Sequence, residues 1–272
     1  MILSEIIWDV DSIITEIFGF QLRWYGLCFA GGFLLGYMVF TRIFRTEGKP
    51  EKDLDPLLLT MIISTVLGAR IGHYVFYEGS HFLEDPVHFI TEMLIPPYAG
   101  LASHGGGFGI VFALWLYSRK RPDQPFFWVL DRMSVAVALT GAFIRFGNLM
   151  NSEIVGKASD VPWAFVFKQN FEYSQVPRHP AQLYESLSCL LLFVIMYFIW
   201  NKYKQRLPDG LLSGLFFTWI FTLRFFYEFL KENQVEFEDG MALNMGQWLS
   251  IPMVLFGLFL LSRAYKRGLK PA

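Results

Sequence analysis

Apolar runs of roughly 18 to 22 residues recur along this chain, and that recurrence narrows its fold more than any other feature. A helix rises about 1.5 Å per residue, so one such run crosses the roughly 30 Å hydrocarbon core of a bilayer. In lipid every backbone N–H and C=O must be satisfied internally, which leaves helices for runs this continuous. The runs fall at residues 24–40, 57–77, 98–117, 126–148, 179–200, 211–230 and 248–265. With 54% hydrophobic and 18% aromatic residues among 272, and a mean hydropathy of +0.38, the chain is too apolar for two soluble domains. The expected fold is all-α and polytopic, about seven transmembrane helices in one transmembrane domain spanning residues 1–272.

Charge placement orients those spans. Arg42, Arg45, Lys49 and Lys52, then Arg119, Lys120 and Arg121, then Lys202, Lys204 and Arg206, and finally Arg263, Lys266, Arg267 and Lys270 all fall on one side. The opposite loops hold only Lys157, Lys168, Arg178 and Lys231. The positive-inside rule therefore predicts an outer N-terminus and a cytoplasmic C-terminus. Residues 151–178 become a small polar outer segment between the fourth and fifth spans. Residues 1–20 lack Lys and Arg, which argues against a cleaved signal peptide. Their Leu3, Ile6, Ile7, Val10, Ile14 and Ile17 recur at helical spacing against Glu5, Asp9, Asp11 and Glu16. That pattern predicts an amphipathic helix in the outer interface, or else a helical lead-in to the first span. Cys28 and Cys189 have no CxxC or Cys/His spacing, so they imply neither a disulfide framework nor a metal site. No internal repeat is visible, which weakens an inverted-repeat transporter.

Four clusters carry polar chemistry. In GAFIRFGNLMNSEIVG (141–156), Arg145, Asn148, Asn151 and Glu153 lie within about three helical turns at the end of an apolar run. Ionisable groups in that position are costly and mark a function or a partner. The arginine fork suits phosphate or carboxylate, while Glu153 either holds Arg145 or acts as a base. The blander alternative is an arginine snorkelling to the interface beside a helix end at Gly147-Asn148. In GLASHGGGFG (100–109), glycines permit close backbone approach or a helix break, with His104 a general base near neutral pH. The alternatives there are a glycine-lined helix contact and a structurally hydrogen-bonded histidine. Arg224 and Glu228 stand at i, i+4 on one helix face, either as a self-neutralising pair or with the arginine facing phosphate. In RHPAQLYE (178–185), Gln182 and Glu185 share a face beside Tyr184, bracing a site or capping a helix. Arg23-Trp24-Tyr25-Gly26 fits a site or an aromatic interface belt.

These segments together resemble the bacterial prolipoprotein diacylglyceryl transferases. The matching stretches are RWYG (23–26), GARIGHYVFYE (68–78), SHGGG (103–107), RFGNLMNSEIVG (145–156), HPAQLYE (179–185), RFFYE (224–228) and MGQWLSIPM (245–253). The resemblance implies a multi-pass protein of the bacterial cytoplasmic (inner) membrane. Its activity would move a diacylglyceryl group from phosphatidylglycerol to the lipobox cysteine thiol of a prolipoprotein signal peptide, leaving a thioether and glycerol phosphate. It implies His104, Arg145 and Arg224 as catalytic residues, and Arg145, Tyr25, Asn148, Glu153 and Gly105 as substrate-binding ones. Asn151, Glu228, Gln182 and Glu185 would support them. No metal, cofactor or nucleic acid is implied. Two departures stand out: Ile144 precedes the signature arginine where many members have glycine, and Ile220 replaces a tyrosine one turn before the second arginine. The role of that hydroxyl does not transfer.

Two rivals make different predictions. A transporter lined by Arg70, Arg132, Arg145 and Arg224 would give ligand flux and no covalent product. An intramembrane serine protease would need Ser103 or Ser152, and neither sits in a Gly-x-Ser-x-Gly setting.

Overall fold

The computed structural model describes residues 6–79, 82, 85–94, 102–232 and 242–269. Residues 1–5 of the expected N-terminal helix, the start of the third apolar run at 98–101, and Lys270 lie outside them. The helices are α1 (Trp24–Thr46), α2 (Leu54–Tyr77), α3 (Pro86–Leu94), α4 (Ser103–Arg119), α5 (Phe126–Met150), α6 (Ala181–Tyr203), α7 (Leu211–Tyr227) and α8 (Met245–Arg267). Among the described residues, five helical stretches are long and apolar enough to cross a membrane: Trp24–Thr46, Glu51–Val75, Phe126–Met150, Ala181–Arg206 and Met245–Arg267. Helices α4 and α7, each expected as a span, have 17 residues apiece.

The helix expected over residues 1–20 is a correction: the described part of that segment is extended. It forms β1 (Ile6–Trp8) and β2 (Ile13–Ile17), followed by β3 (Phe20–Arg23). Strands β2 and β3 make an antiparallel hairpin whose two-residue turn, Phe18-Gly19, has φ of 52° and 79°. Two positive φ values are what a hairpin turn matched to strand twist requires. The β-branched Ile13, Ile14, Thr15 and Ile17 favour the extended state over the helix that their spacing also fits. Strand β1 pairs in parallel with β4 (Phe165–Phe167), and Trp8 stacks on Phe165 with ring centroids 5.4 Å apart. Helical periodicity gives no sign of a partner so distant in sequence.

Where one transmembrane domain was expected, the chain groups into two compact units, Ile43–Leu130 and Met1–Arg42 with Asp131–Ala272. In the first of these, α2 and α4 cross backbone to backbone. A β-carbon at Gly68 would lie 2.5 Å from the Gly105 carbonyl oxygen, and one at Gly72 2.5 Å from Gly105 Cα. Arg70 finishes α3 instead of lining a channel. It donates through Nη2 to Glu92 O (2.7 Å) and through Nε to Met93 O (3.3 Å), satisfying carbonyls that the helix end leaves open.

In the other unit, α7 and α8 approach at Gly214, Thr218 and Gly257, where a β-carbon on Gly257 would meet Thr218 N at 2.6 Å. Small residues permit such contact when both solvents of the comparison are apolar. The buried Asp131 accepts from Gly210 N (2.9 Å), Ser213 N (2.9 Å) and Ser213 Oγ (2.6 Å), capping the start of α7 from another helix. Arg132 lies 3.7 Å from Asp131 and donates to Lys204 O (3.2 Å), the carbonyl closing α6. This pair fastens three helices together.

Candidate functional site

The signature segment is a helix ending in a specific cap. Ser152 N donates to Leu149 O (3.0 Å) and Glu153 N to Asn148 O (3.1 Å), with Ser152 left-handed at φ 54°. That pair of bonds is a Schellman motif with serine where glycine is usual. Where the motif ordinarily closes on an apolar contact, Asn148 Nδ2 donates to Glu153 Oε1 (2.7 Å). Ile154, a β-branched residue, follows at φ 57°, a conformation such residues rarely adopt. Two non-glycine residues in this region within three positions indicate a backbone held by its surroundings. The helix does not end at Gly147-Asn148. Gly147 instead receives α1, where its β-carbon would lie 3.1 Å from the Tyr25 ring and 3.2 Å from Cys28 Cβ.

Beyond the cap, residues 155–158 thread between two other segments. Gly156 N donates to His179 O (3.0 Å), His179 N to Lys157 O (3.1 Å) and Lys157 N to Leu230 O (2.7 Å). Gly156 has no room for a side chain, because its β-carbon would stand 2.6 Å from the His179 carbonyl and 2.8 Å from that of Leu230. These short bonds bring the start of α6 and the end of α7 to the end of α5. Gln182 Nε2 donates to Glu153 O, and Tyr184 OH accepts from Trp163 Nε1 (2.7 Å). Arg178 donates to Gly156 O (3.1 Å), pairs with Glu232 and covers the Tyr173 ring at 4.1 Å. A hydrogen bond with the Glu172 carboxylate, followed by burial, holds the Tyr173 phenol above its usual pKa.

At this junction the charged residues form one chain. Arg145 Nε meets Glu185 Oε2 at 3.0 Å, so its carboxylate partner is Glu185 and not Glu153. Glu185 Oε1 accepts from Lys231 Nζ at 2.5 Å. Lys231 also meets Glu228 Oε1 at 3.4 Å, and the same oxygen lies 3.6 Å from Arg224 Nε. Glu228 Oε2 accepts from Asn244 Nδ2 (3.1 Å), whose own side chain caps α8 in a capping box with Gln247. The carboxylate thereby sits at a helix N-terminus, where negative charge is favoured. Lys231 is 2% exposed and both glutamates 8%, while Arg145 and Arg224 each keep 23% of their side-chain surface open. The carboxylates and the lysine form a buried backing, and the two guanidinium groups form its accessible face. Arg224 and Glu228 do pair at i, i+4, but as one link of a longer network.

Lys231 and Asn244 carry this arrangement, and sequence reasoning did not single them out. Lys231 follows Glu228 by three residues, a helical spacing that was available to find it. Asn148 Oδ1, Asn151 Oδ1 and Gln182 Oε1 are buried acceptors without a hydrogen-bond partner among the described residues. Such groups are rare enough in folded proteins to need an explanation.

Other expected residues fall elsewhere. His104 is buried in the first turn of α4, in the unit of residues 43–130. Gly105, expected to bind substrate, packs against the backbone of Gly68 and Gly72, and α4 runs unbroken through all four glycines. Arg23 ends β3 and donates to Gln21 Oε1 at 2.8 Å. Arg70 and Arg132 hold helix ends, which removes two of the four arginines from the transporter lining. Ser152 is 1% exposed inside the cap, a poor position for a protease nucleophile.

The prolipoprotein diacylglyceryl transferase family matches residues 12–263. The chain is 43% identical over 254 residues to the phosphatidylglycerol–prolipoprotein diacylglyceryl transferase of Tolumonas auensis, covering 93% of this chain and 95% of that protein. To the protein of that name from Bacteroides fragilis it is 44% identical over 270 residues, with 95% of each covered. To that of Chloroherpeton thalassium it is 43% identical over 268 residues, covering 97% of this chain and 96% of the relative. The signature cap, the HPAQLYE turn and the RFFYE pair thus converge within a chain that belongs to the prolipoprotein diacylglyceryl transferase family, transferases of lipoprotein modification.

Proposed function

We propose that Arg145 and Arg224 hold the phosphate of phosphatidylglycerol while the lipobox cysteine of a prolipoprotein attacks the glycerol carbon beside it. The sulfur–carbon bond forms as the carbon–oxygen bond to phosphate breaks, and glycerol phosphate leaves with the electron pair. The thiol proton goes to a base, for which His104 has suitable chemistry near neutral pH. A free thiol of pKa about 8.5 is mostly protonated at pH 7, so a base raises the reactive fraction. Negative charge grows on the phosphate oxygens, where two arginines in a water-poor setting stabilise it. Asn148, Asn151 and Gln182 offer buried acceptor oxygens suited to the hydroxyls of a glycerol head group.

The observation that carries this reading is the pair of part-exposed arginines, from α5 and α7, joined through Glu185, Lys231 and Glu228. Tyr25, lying on Gly147, and Glu153, clasped by Asn148, shape the approach to Arg145. In the membrane we place about seven spans, with α4 and α7 as the two short ones. The ends of α6 and α8 far from the network carry Lys202, Lys266 and Arg267, so the positive-inside rule sets the network toward the outer leaflet. That orientation gives an outer N-terminus and a cytoplasmic C-terminus in the bacterial inner membrane.

The test uses purified protein, phosphatidylglycerol in mixed micelles and a peptide carrying a Leu-Ala-Gly-Cys lipobox. Mass spectrometry should find a diacylglyceryl adduct on the Cys peptide and none on its Cys→Ser control. Folded, lipid-binding protein that gives no adduct would overturn the reading.

A further inference from the structure

Lys231 has no part in the chemistry above, yet it is the most buried charge in the network and touches both of its carboxylates. Without it, the remaining charges cancel in pairs, Arg145 against Glu185 at 3.0 Å and Arg224 against Glu228 at 3.6 Å. An arginine neutralised by its own carboxylate has little field left for a ligand. The lysine ammonium is a compact charge with three donors, able to engage two carboxylates at once. It leaves the five directly paired side chains with one positive charge in excess, and that excess acts through a poorly screening interior.

We propose that Lys231 selects the donor lipid, because the excess charge it maintains favours a phosphodiester head group of net charge −1 over a zwitterionic one. The proposal rests on the reading that Arg145 and Arg224 hold the lipid phosphate. Phosphatidylglycerol and phosphatidylethanolamine present the same phosphodiester to those arginines. They differ in the ammonium of the second, which a net-positive site repels. Lys231 is a positioning and specificity residue, separated from the reacting atoms by the glutamates and arginines in front of it.

The experiment compares full-length wild type, Lys231→Met and Lys231→Arg in nanodiscs. It reads lipid retention for phosphatidylglycerol against phosphatidylethanolamine, together with kcat and KM for adduct formation. Lys231→Met should narrow the preference for phosphatidylglycerol about tenfold and raise its KM by a similar factor, with a smaller change in kcat. Lys231→Arg should restore the preference. A purely structural lysine would change yield and melting temperature and leave the lipid ratio alone, and that outcome overturns the proposal. Should Lys231→Met not fold, Lys231→Met with Glu228→Gln removes one charge of each sign and keeps the excess. It should retain the wild-type preference, and a folded double variant without it also overturns the proposal. Wild type that prefers phosphatidylglycerol but forms no adduct refutes the transferase reading and supports the selection. Adduct formation with an unchanged lipid ratio in Lys231→Met refutes the selection alone.

Discussion

The α2–α4 crossing and the polar junction of α5–α8 look alike in sequence, since each sets glycines beside a chargeable residue. They have opposite uses for those glycines. At the crossing, Gly68 and Gly72 face Gly105 and Gly109, and the absence of side chains lets two backbones touch. At the junction, Gly147 and Gly156 admit Tyr25, His179 and Leu230, which places a charged network where several chain segments meet. A glycine facing another glycine is a packing device, while one facing a polar segment assembles a site. The distinction was readable in part, because GxxxG spacing occurs at both 68–72 and 105–109.

The sharpest test of that contrast compares the two ends of α5. Asp131→Ala should cost about 3–5 kcal/mol of stability, since it strands the buried Arg132 and orphans the donors at the start of α7. Thermal unfolding in detergent reads that loss, and KM in the surviving folded protein should hold. Arg145→Ala should do the reverse. Glu185 keeps Lys231 as its partner, so the protein folds, while transfer falls about 10²–10³-fold, or about 2.7–4 kcal/mol of transition-state stabilisation. Equal activity in a folded Arg145→Ala variant would remove the arginine from the mechanism.

Smaller effects separate the glycines. Gly105→Ala forces α2 and α4 apart and should destabilise by about 1–3 kcal/mol. Gly107→Ala, with nothing near its β-carbon, should be neutral or stabilise by up to about 1 kcal/mol through helix propensity. If the two variants melt together, the backbone-contact account of the crossing fails. Smallest of all, Ser152→Gly should relieve the left-handed cap and raise the melting temperature by the equivalent of about 1 kcal/mol. A lower melting temperature would mean that the buried Ser152 hydroxyl contributes more than the strain removes.

The sequence by itself determined the apolar runs, because hydropathy and helical period depend only on local order. It also placed Arg224 and Glu228 on one face, and Gln182 with Glu185 on another, since three- and four-residue spacing fixes a shared face. It marked 145–156 as the polar end of a helix and supplied the family resemblance. Tertiary structure decided the partners. Arg145 had a carboxylate eight residues away in Glu153, yet pairs with Glu185, because the backbone bonds at Gly156 and His179 bring the start of α6 against the end of α5. Lys231 became the centre of the network when the Lys157–Leu230 bond set the end of α7 beside it. The N-terminal segment became strands because β4 offers a ladder to β1, and a hydrogen-bonding partner so far along the chain outweighs a helical period that is only local.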